Sequence, residues 1–114
     1  MKVVYIAGPY RGANAWIVEQ NIQRAEALAF AVAELGCAVV CPHTNSRNFD
    51  GTLTDEYWLA STMEIMRRCD AVMLVEGWER STGTQGEIAE ALRLKIPVFE
   101  HIVGLKYWMN GSTT

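Results

Sequence analysis

The sequence predicts a single three-layer α/β/α domain built on a mainly parallel sheet of four to five strands. Short apolar runs rich in β-branched residues alternate with longer segments in which apolar residues recur at helical spacing. Strands that alternate with helices form a parallel sheet with helices on both faces, as in flavodoxin-like and Rossmann-like domains. The chain has 114 residues, half of them hydrophobic, which is enough for one domain with its own core. We expect this domain to cover residues 1–114, with a core over about residues 3–99 and a C-terminal extension over 100–114.

The first half of the chain contains two predicted strands and one long helix. The first strand is Val3–Ala7, and Gly8-Pro9 ends it. Asn14 is a suitable N-cap for the helix that follows, and Gly36 is the glycine that ends it. The second strand is Cys37–Cys41, closed by Pro42 and His43. The positions of the helix that recur at helical spacing are Ile17, Asn21, Ala25, Leu28, Ala29, Val32 and Leu35.

The second half begins with a polar stretch, Thr44–Thr54, which predicts a loop of unusual length for so small a domain. The elements predicted after it are a helix over Asp55–Arg68, a strand over Ala71–Val75, a helix within Gly83–Leu94, a strand over Ile96–Phe99 and a short helix over Leu105–Met109.

Composition excludes several classes of function. A net charge of −3 provides no electrostatic basis for binding a nucleic-acid polymer. No apolar run approaches the length of a membrane span, and the N-terminus enters a strand without a signal-peptide pattern, so we expect a cytoplasmic protein without membrane contact. The three cysteines fit buried apolar positions better than a disulfide framework or a metal site. The two histidines are far apart in the sequence, and we expect no metal and no cofactor.

The turn between the third strand and the next helix is the most informative segment. Open parallel sheets bind ligands at the carboxyl ends of their strands, where a helix N-terminus can hold an anion. Ser81 and Gly83 stand in this turn, and Glu87 follows in the first part of the helix. Ser81 is either a helix cap or a phosphate ligand. Glu87 is either a catalytic carboxylate or the partner of Thr84 in a capping box.

Four further residues are predicted at the same edge of the sheet, each with a simpler alternative. Arg11, in the loop Gly8–Gly12 (the first loop), pairs with a phosphate or is solvated in a tight turn. Tyr5 bonds a catalytic carboxylate or packs as an aromatic. His43 contacts a ligand or is structural, and Trp78 forms a wall for a flat base or packs against the core.

Three motifs together resemble the nucleoside 2-deoxyribosyltransferase superfamily, and within it the small phage and bacterial domains and the deoxynucleoside 5′-monophosphate N-glycosidases. The motifs are Tyr5-Ile-Ala-Gly8-Pro-Tyr-Arg11-Gly12, Pro42-His43, and Asp70-Ala-Val followed by Gly-Trp78, Ser81-x-Gly83-x-x-x-Glu87 and Ala91. The resemblance spans roughly residues 3–99 and implies cleavage or transfer at the N-glycosidic bond of a small nucleoside or nucleotide.

The resemblance also implies residue roles. The glutamate at position 87 attacks the anomeric carbon, and the tyrosine at position 5 orients it. The residues that hold the substrate are Gly8, Arg11, Ser81 and Gly83, at the 5′-phosphate in the monophosphate-specific branch, together with His43, which lines the pocket. Members are commonly homo-oligomers, so we expect at least a homodimer.

One position departs from the family pattern. Members usually carry an aspartate about two helical turns before the aspartate at position 70, and this chain has Thr62 there. Threonine does not donate a proton at neutral pH, and Glu64 is expected on another face of the helix. Asp50, Asp55 or a neighbouring subunit remain alternative sources of the acid.

Two other functions remain alternatives. A non-catalytic nucleotide-binding or sensor module would explain Thr62. Flavin mononucleotide binding on a flavodoxin-like fold is disfavoured because the first loop lacks a Ser/Thr-rich phosphate pattern.

Overall fold

A computed structural model describes residues 1–45 and 52–111, and four parallel strands form one sheet in this part of the chain. The strands are β1 (Val3–Ala7), β2 (Ala38–Val40), β3 (Ala71–Leu74) and β4 (Val98–Phe99), in the order β2-β1-β3-β4. Both inner strands are parallel to their neighbours, with Val4 opposite Val39 on one side and Ala71 on the other. The predicted parallel sheet with helices on both faces is confirmed.

Helices connect the strands. They are α1 (Ala15–Glu34), a four-residue turn α2 (Pro42–Asn45), α3 (Asp55–Arg67), α4 (Thr82–Arg93) and α5 (Ile102–Met109), with a 3₁₀ turn over Trp78–Arg80. Asn14 caps α1 by accepting a 2.9 Å hydrogen bond from the N–H of Ile17, as the sequence predicted. Gly36 follows the helix with φ of 94°, a conformation that glycine adopts without cost. None of the helices in the described ranges is long and apolar enough to cross a membrane.

The strands alternate their side chains between two apolar layers. Val4 and Ile6 of β1 face a core shared with α1 and α5. Tyr5 and Ala7 point to the opposite face and pack with residues of α3 and α4. Tyr5 therefore lies under the same two helices that carry Thr62 and Glu87.

The edge strands are shorter than predicted, for local reasons. Thr44 and Asn45 donate their N–H groups to the carbonyl of Cys41, so the chain turns into α2 as soon as β2 ends. Pro97 has no N–H, and it contributes only its carbonyl, which accepts from Val72 at 2.9 Å, before β4 begins. Of the predicted loop Thr44–Thr54, residues 46–51 lie outside the described residues.

The C-terminal residues complete one of the apolar layers. Leu105 of α5 is fully buried in the core with Val4 and Ile6. Trp108 packs on Phe99 with ring centroids 5.6 Å apart, and the Lys2 amine lies over the same indole, 5.1 Å from its centroid. The apolar core thus continues past residue 99 to include a helix of the predicted extension.

Candidate active site

β1 and α4 bring Tyr5 and Glu87 into direct contact. The phenol of Tyr5, which is 1% exposed, donates a hydrogen bond to Oε2 of Glu87. The contact exists because odd-numbered residues of β1 face α4, and Glu87 projects from α4 towards the sheet. Of the two alternatives for Tyr5, the structure shows the phenol bonded to a carboxylate within a packed layer.

Burial shifts the protonation equilibria of this pair. Loss of solvation raises the pKa of Glu87 to about 7, although the hydrogen bond from Tyr5 opposes the rise. The pKa of Tyr5 is raised mainly by burial and then by the adjacent Glu87 charge, so the phenol stays a proton donor. A carboxyl that titrates near neutral pH is able to change its protonation state during a reaction.

Ser81, not Thr84, is the cap of α4. The Ser81 hydroxyl accepts hydrogen bonds from the N–H of Thr84 at 3.1 Å and from its hydroxyl at 2.9 Å. Thr84 is therefore the third residue of the helix, and Glu87 lies a turn beyond the position that a capping box needs. The alternative that Glu87 pairs with Thr84 in a capping box is wrong.

The first turn of α4 is open. Gly83 is exposed, and a Cβ built there would meet only Leu59, at 3.8 Å. Ser81 accepts two hydrogen bonds and keeps its own hydroxyl proton for another acceptor. The N-terminus of α4 thus has both space and donors for an anion.

Thr62 stands beside the Tyr5–Glu87 pair. Its hydroxyl interacts with the phenol of Tyr5, which counteracts the rise in the Tyr5 pKa, and it also donates to the carbonyl of Leu59 at 3.2 Å. Glu64 lies on the exposed side of α3 and pairs with Arg68 at 2.9 Å. Among the described residues of α3, the polar side chain that interacts with the phenol is therefore a hydroxyl and not a carboxyl.

An ion pair joins α3 to α4 one turn beyond Glu87. Arg67 donates from Nε to Glu90 at 2.7 Å, and Glu90 also accepts from Arg93 at 2.8 Å. Arg93 first and Arg67 second lower the pKa of Glu90 to about 2, so the carboxylate stays charged. The pairing fixes the two helices that place Thr62 and Glu87.

The first loop approaches the sheet closely. A Cβ at Gly8 would lie 2.4 Å from the Cβ of Val75, so only glycine fits where β1 and β3 end side by side. Arg11 is exposed and pairs with Asp55, the first residue of α3, at 3.2 Å. Asp55 is thus a surface partner of Arg11, and Asp50 lies outside the described residues.

His43 is buried and holds the first loop. Its side chain is 5% exposed, and Nε2 donates to the carbonyl of Pro9 at 2.8 Å. Burial lowers the pKa of this imidazole, which favours the neutral form. Of the two alternatives for His43, the structure shows a structural contact with the loop.

Asn21 is a residue of this region that the sequence reasoning placed only in the apolar stripe of α1. It is 4% exposed and donates to the carbonyls of Tyr10 at 3.1 Å and Arg11 at 3.2 Å. Arg24 in turn donates to its Oδ1 at 2.7 Å. A lone amide among apolar positions of a helix was the signal, because a buried amide requires partners.

Trp78 is half-buried in the 3₁₀ turn after β3 and packs against the layer that contains Tyr5. It also lines an open cavity of about 280 Å³, with Glu100 and His101 following β4 on the other side. Within residues 1–45 and 52–111, no cluster of three or more His, Cys, Asp or Glu side chains is arranged to hold a metal ion.

The fold and the phenol–carboxyl pair define an α/β domain with a candidate active site on one face of its sheet. The chain belongs to the family described as "Domain of unknown function (DUF4406)", whose profile matches residues 2–100. No curated protein gives a significant match to the sequence.

A solved structure shares the fold. The chain superimposes on a 2-deoxyribosyltransferase from the psychrotolerant bacterium Bacillus psychrosaccharolyticus with a TM-score of 0.59. The two are 21% identical, and the superposition covers 84% of this chain and 69% of the other. This likeness establishes the fold.

Proposed function

We propose that this protein cleaves or transfers at the N-glycosidic bond of a deoxynucleoside or its 5′-monophosphate, with Glu87 as the nucleophile. The observation that carries the proposal is the part-buried hydrogen bond from Tyr5 to Glu87. A surface carboxylate needs no such partner, whereas a nucleophile must be held in one orientation. The fold shared with a 2-deoxyribosyltransferase supports the same chemistry.

The reaction would follow the logic of a retaining glycosidase. The Glu87 carboxylate forms an ester with C1′ as the C1′–N bond breaks, and the base leaves with the bonding electrons and takes up a proton. Water then hydrolyses the ester, or a second base accepts the sugar. Tyr5 would hold the carboxylate oxygen that does not attack, and its own raised pKa keeps it a donor throughout.

The remaining predicted residues would bind substrate. Arg11 and the first turn of α4, with Ser81 and Gly83, supply a cation and free donors for a 5′-phosphate. Gly8 permits close approach of the backbone, and Trp78 offers an aromatic face for a base. His43 differs from these residues, because it would support substrate binding indirectly by holding the first loop through the carbonyl of Pro9.

The direct test is incubation with a panel of deoxynucleosides and their 5′-monophosphates, with released base measured by chromatography. We expect release with at least one member and a loss of about a thousandfold or more in Glu87→Gln. Glu34→Gln, an exposed carboxyl at the far end of α1, is the matched control and should retain full activity. Absence of release from every member of the panel would reject the proposed chemistry.

A second candidate function is a nucleotide-binding module without turnover. The observation that favours it is Thr62, whose hydroxyl stands beside Tyr5 where an acid would protonate the leaving base. Calorimetric binding of a nucleotide that chromatography recovers intact after prolonged incubation would support this function. Rapid release of base would rule it out.

We also propose that the protein is at least a homodimer. Several apolar side chains on α3 and α5 are largely exposed in the single chain: Tyr57, Leu59, Val103 and Tyr107. A monomeric mass by light scattering at micromolar concentration would contradict this.

A further inference from the structure

We propose that Asn21 and His43 are positioning residues that hold the first loop in the conformation that binds a 5′-phosphate. This inference rests on the proposed function and assigns the phosphate to the backbone N–H groups of the loop together with Arg11. Neither side chain would touch the substrate, since both are at least nine-tenths buried.

Three consecutive carbonyl groups of the first loop are bound from the protein side. His43 donates from Nε2 to the carbonyl of Pro9, and Asn21 donates from Nδ2 to the carbonyls of Tyr10 and Arg11. The two donors come from different elements, α2 and α1, so they hold the loop from two directions. Two side chains thereby fix three successive peptide units.

The orientation of the carbonyls determines where the N–H groups point. Every peptide bond in the described residues is trans, so each N–H points opposite to the C=O of its own peptide unit. Because the carbonyls of Tyr10 and Arg11 face Asn21, the N–H groups of Arg11 and Gly12 point away from α1. Within residues 1–45 and 52–111, no group accepts a hydrogen bond from either N–H.

Backbone N–H groups are strong hydrogen-bond donors, so the N–H groups of Arg11 and Gly12 are able to bind an anion on this side of the loop. The Arg11 guanidinium extends from the same peptide units, and its partner Asp55 is exposed, so an incoming phosphate competes with a solvated carboxylate. Gly12 must be glycine here, because a Cβ would lie 2.4 Å from a methyl of Ile17. The loop therefore presents backbone to the anion with no side chain at Gly12 in the way.

Asn21 is itself held in place. Its Oδ1 accepts from Arg24 at 2.7 Å, which directs the Nδ2 group, with its two protons, at the loop. His43 is restrained by the neighbouring Tyr10 ring, at 5.8 Å between centroids. Both anchors are buried side chains with fixed partners in the protein, so the loop would be preorganised for the phosphate.

The test compares affinities for a deoxynucleoside 5′-monophosphate and for the matching deoxynucleoside by calorimetry. The ratio of the two affinities measures the phosphate contribution and is insensitive to general loss of stability. Asn21→Ala removes the amide, and the nearly isosteric Asn21→Asp keeps an acceptor for Arg24 but has no donor for the loop. His43→Leu removes the other donor, and His43→Gln restores an N–H at a similar distance.

We expect the affinity ratio to fall about tenfold in Asn21→Ala, Asn21→Asp and His43→Leu. His43→Gln should recover most of the wild-type ratio. Gln23→Ala is the matched control, because this amide of α1 bonds Glu19 on the surface instead of the loop. Thermal melting of each variant confirms that it is folded.

Each outcome bears on the inference separately from the proposed function. If the Asn21 variants bind both ligands more weakly by the same factor, so that the affinity ratio is unchanged, the positioning role is overturned even in an active enzyme. A wild-type ratio near one would show that the loop binds no phosphate and would overturn the inference while leaving nucleoside cleavage intact. A ratio that depends on Asn21 in a protein that releases no base would support the inference and reject the chemistry, and binding of neither ligand would reject both.

Discussion

The phenol of Tyr5 and the carboxyl of Glu87 are hydrogen-bonded partners although 82 positions separate them in the sequence. One belongs to the central strand β1 and the other to α4, so the contact can form only after the parallel sheet has brought these elements together. Tyr5 lies in the apolar layer between the sheet and α3 and α4, and the part-buried Glu87 reaches it from α4. The protonation of Glu87 is thus tied to the packing of the whole layer.

Replacement of Tyr5 by Phe should raise the pKa of Glu87 above its value of about 7. The hydrogen bond from the phenol stabilises the carboxylate, and its loss leaves burial as the dominant influence. If the ionised carboxylate attacks C1′, the acidic limb of kcat/KM against pH should move to higher pH. Tyr107→Phe, at an exposed tyrosine of α5, should leave the limb in place. A limb that stays at the same pH in Tyr5→Phe would show that Glu87 does not control it.

Replacement of Glu87 by Gln should stabilise the protein at alkaline pH. Folding raises the pKa of Glu87 from 4.5 to about 7, so the wild type loses stability as pH rises between these values. The expected gain in the free energy of unfolding of Glu87→Gln over the wild type is roughly 3 kcal/mol above pH 7, and it vanishes below about pH 4.5. Urea unfolding at pH 5 and pH 8 measures it, and the Gln amide still accepts from Tyr5. An equal stability gap at both pH values would contradict the burial of this carboxyl.

Replacement of Thr62 by Asp should increase the rate of base release. The new carboxyl would lie beside Tyr5 and close to the carboxyl of Glu87. Because two neighbouring carboxylates repel each other, one of the two carboxyls stays protonated near neutral pH. The protonated group would then serve the leaving base, with an expected gain of about tenfold or more. Ala60→Asp, on the exposed side of α3, is the control. No gain in Thr62→Asp would mean that the acid comes from elsewhere or that proton transfer does not limit the rate.

Replacement of Asp55 by Asn should tighten binding of a 5′-monophosphate. Asp55 forms an ion pair with Arg11 at 3.2 Å, so an anionic ligand must compete with this carboxylate for the guanidinium. Because both side chains are largely exposed, we expect only about a threefold gain at low salt, lost at high salt. Glu56→Gln removes the same charge from the same helical turn without a contact to Arg11 and should have a smaller effect. Calorimetry at two salt concentrations provides the comparison.

The secondary structure could be predicted because it depends on local patterns. The Asn14 cap and Gly36 marked the ends of α1, and apolar runs marked β1 and β3. The lengths of the edge strands could not be predicted. β2 ends early because the Cys41 carbonyl is taken by α2, and such competition for one acceptor is invisible in a propensity pattern.

The sequence predicted that the candidate residues lie near one another, but it could not predict their contacts. Whether Glu87 caps a helix depended on which residue begins α4, and a shift of three residues from Thr84 to Ser81 changes the answer. His43 was predicted beside the pocket, but only the tertiary structure shows that its ring is hydrogen-bonded to the carbonyl of Pro9. Asn21 is a polar residue among the apolar positions of α1. Because a buried amide requires hydrogen-bond partners, this position could have been predicted to bind a neighbouring segment.

The glycines at the two ends of the site differ in what they would tolerate, and this difference determines how the protein could be re-engineered. Position 8 has no room for even a methyl group, because Val75 is in contact range of its backbone. Position 83 lies at an open helix end, with only Leu59 nearby. Under the proposed function, a larger side chain at position 83 would therefore narrow the range of accepted ligands without disturbing the fold. Any side chain at position 8 would instead disrupt the packing of β1 against β3.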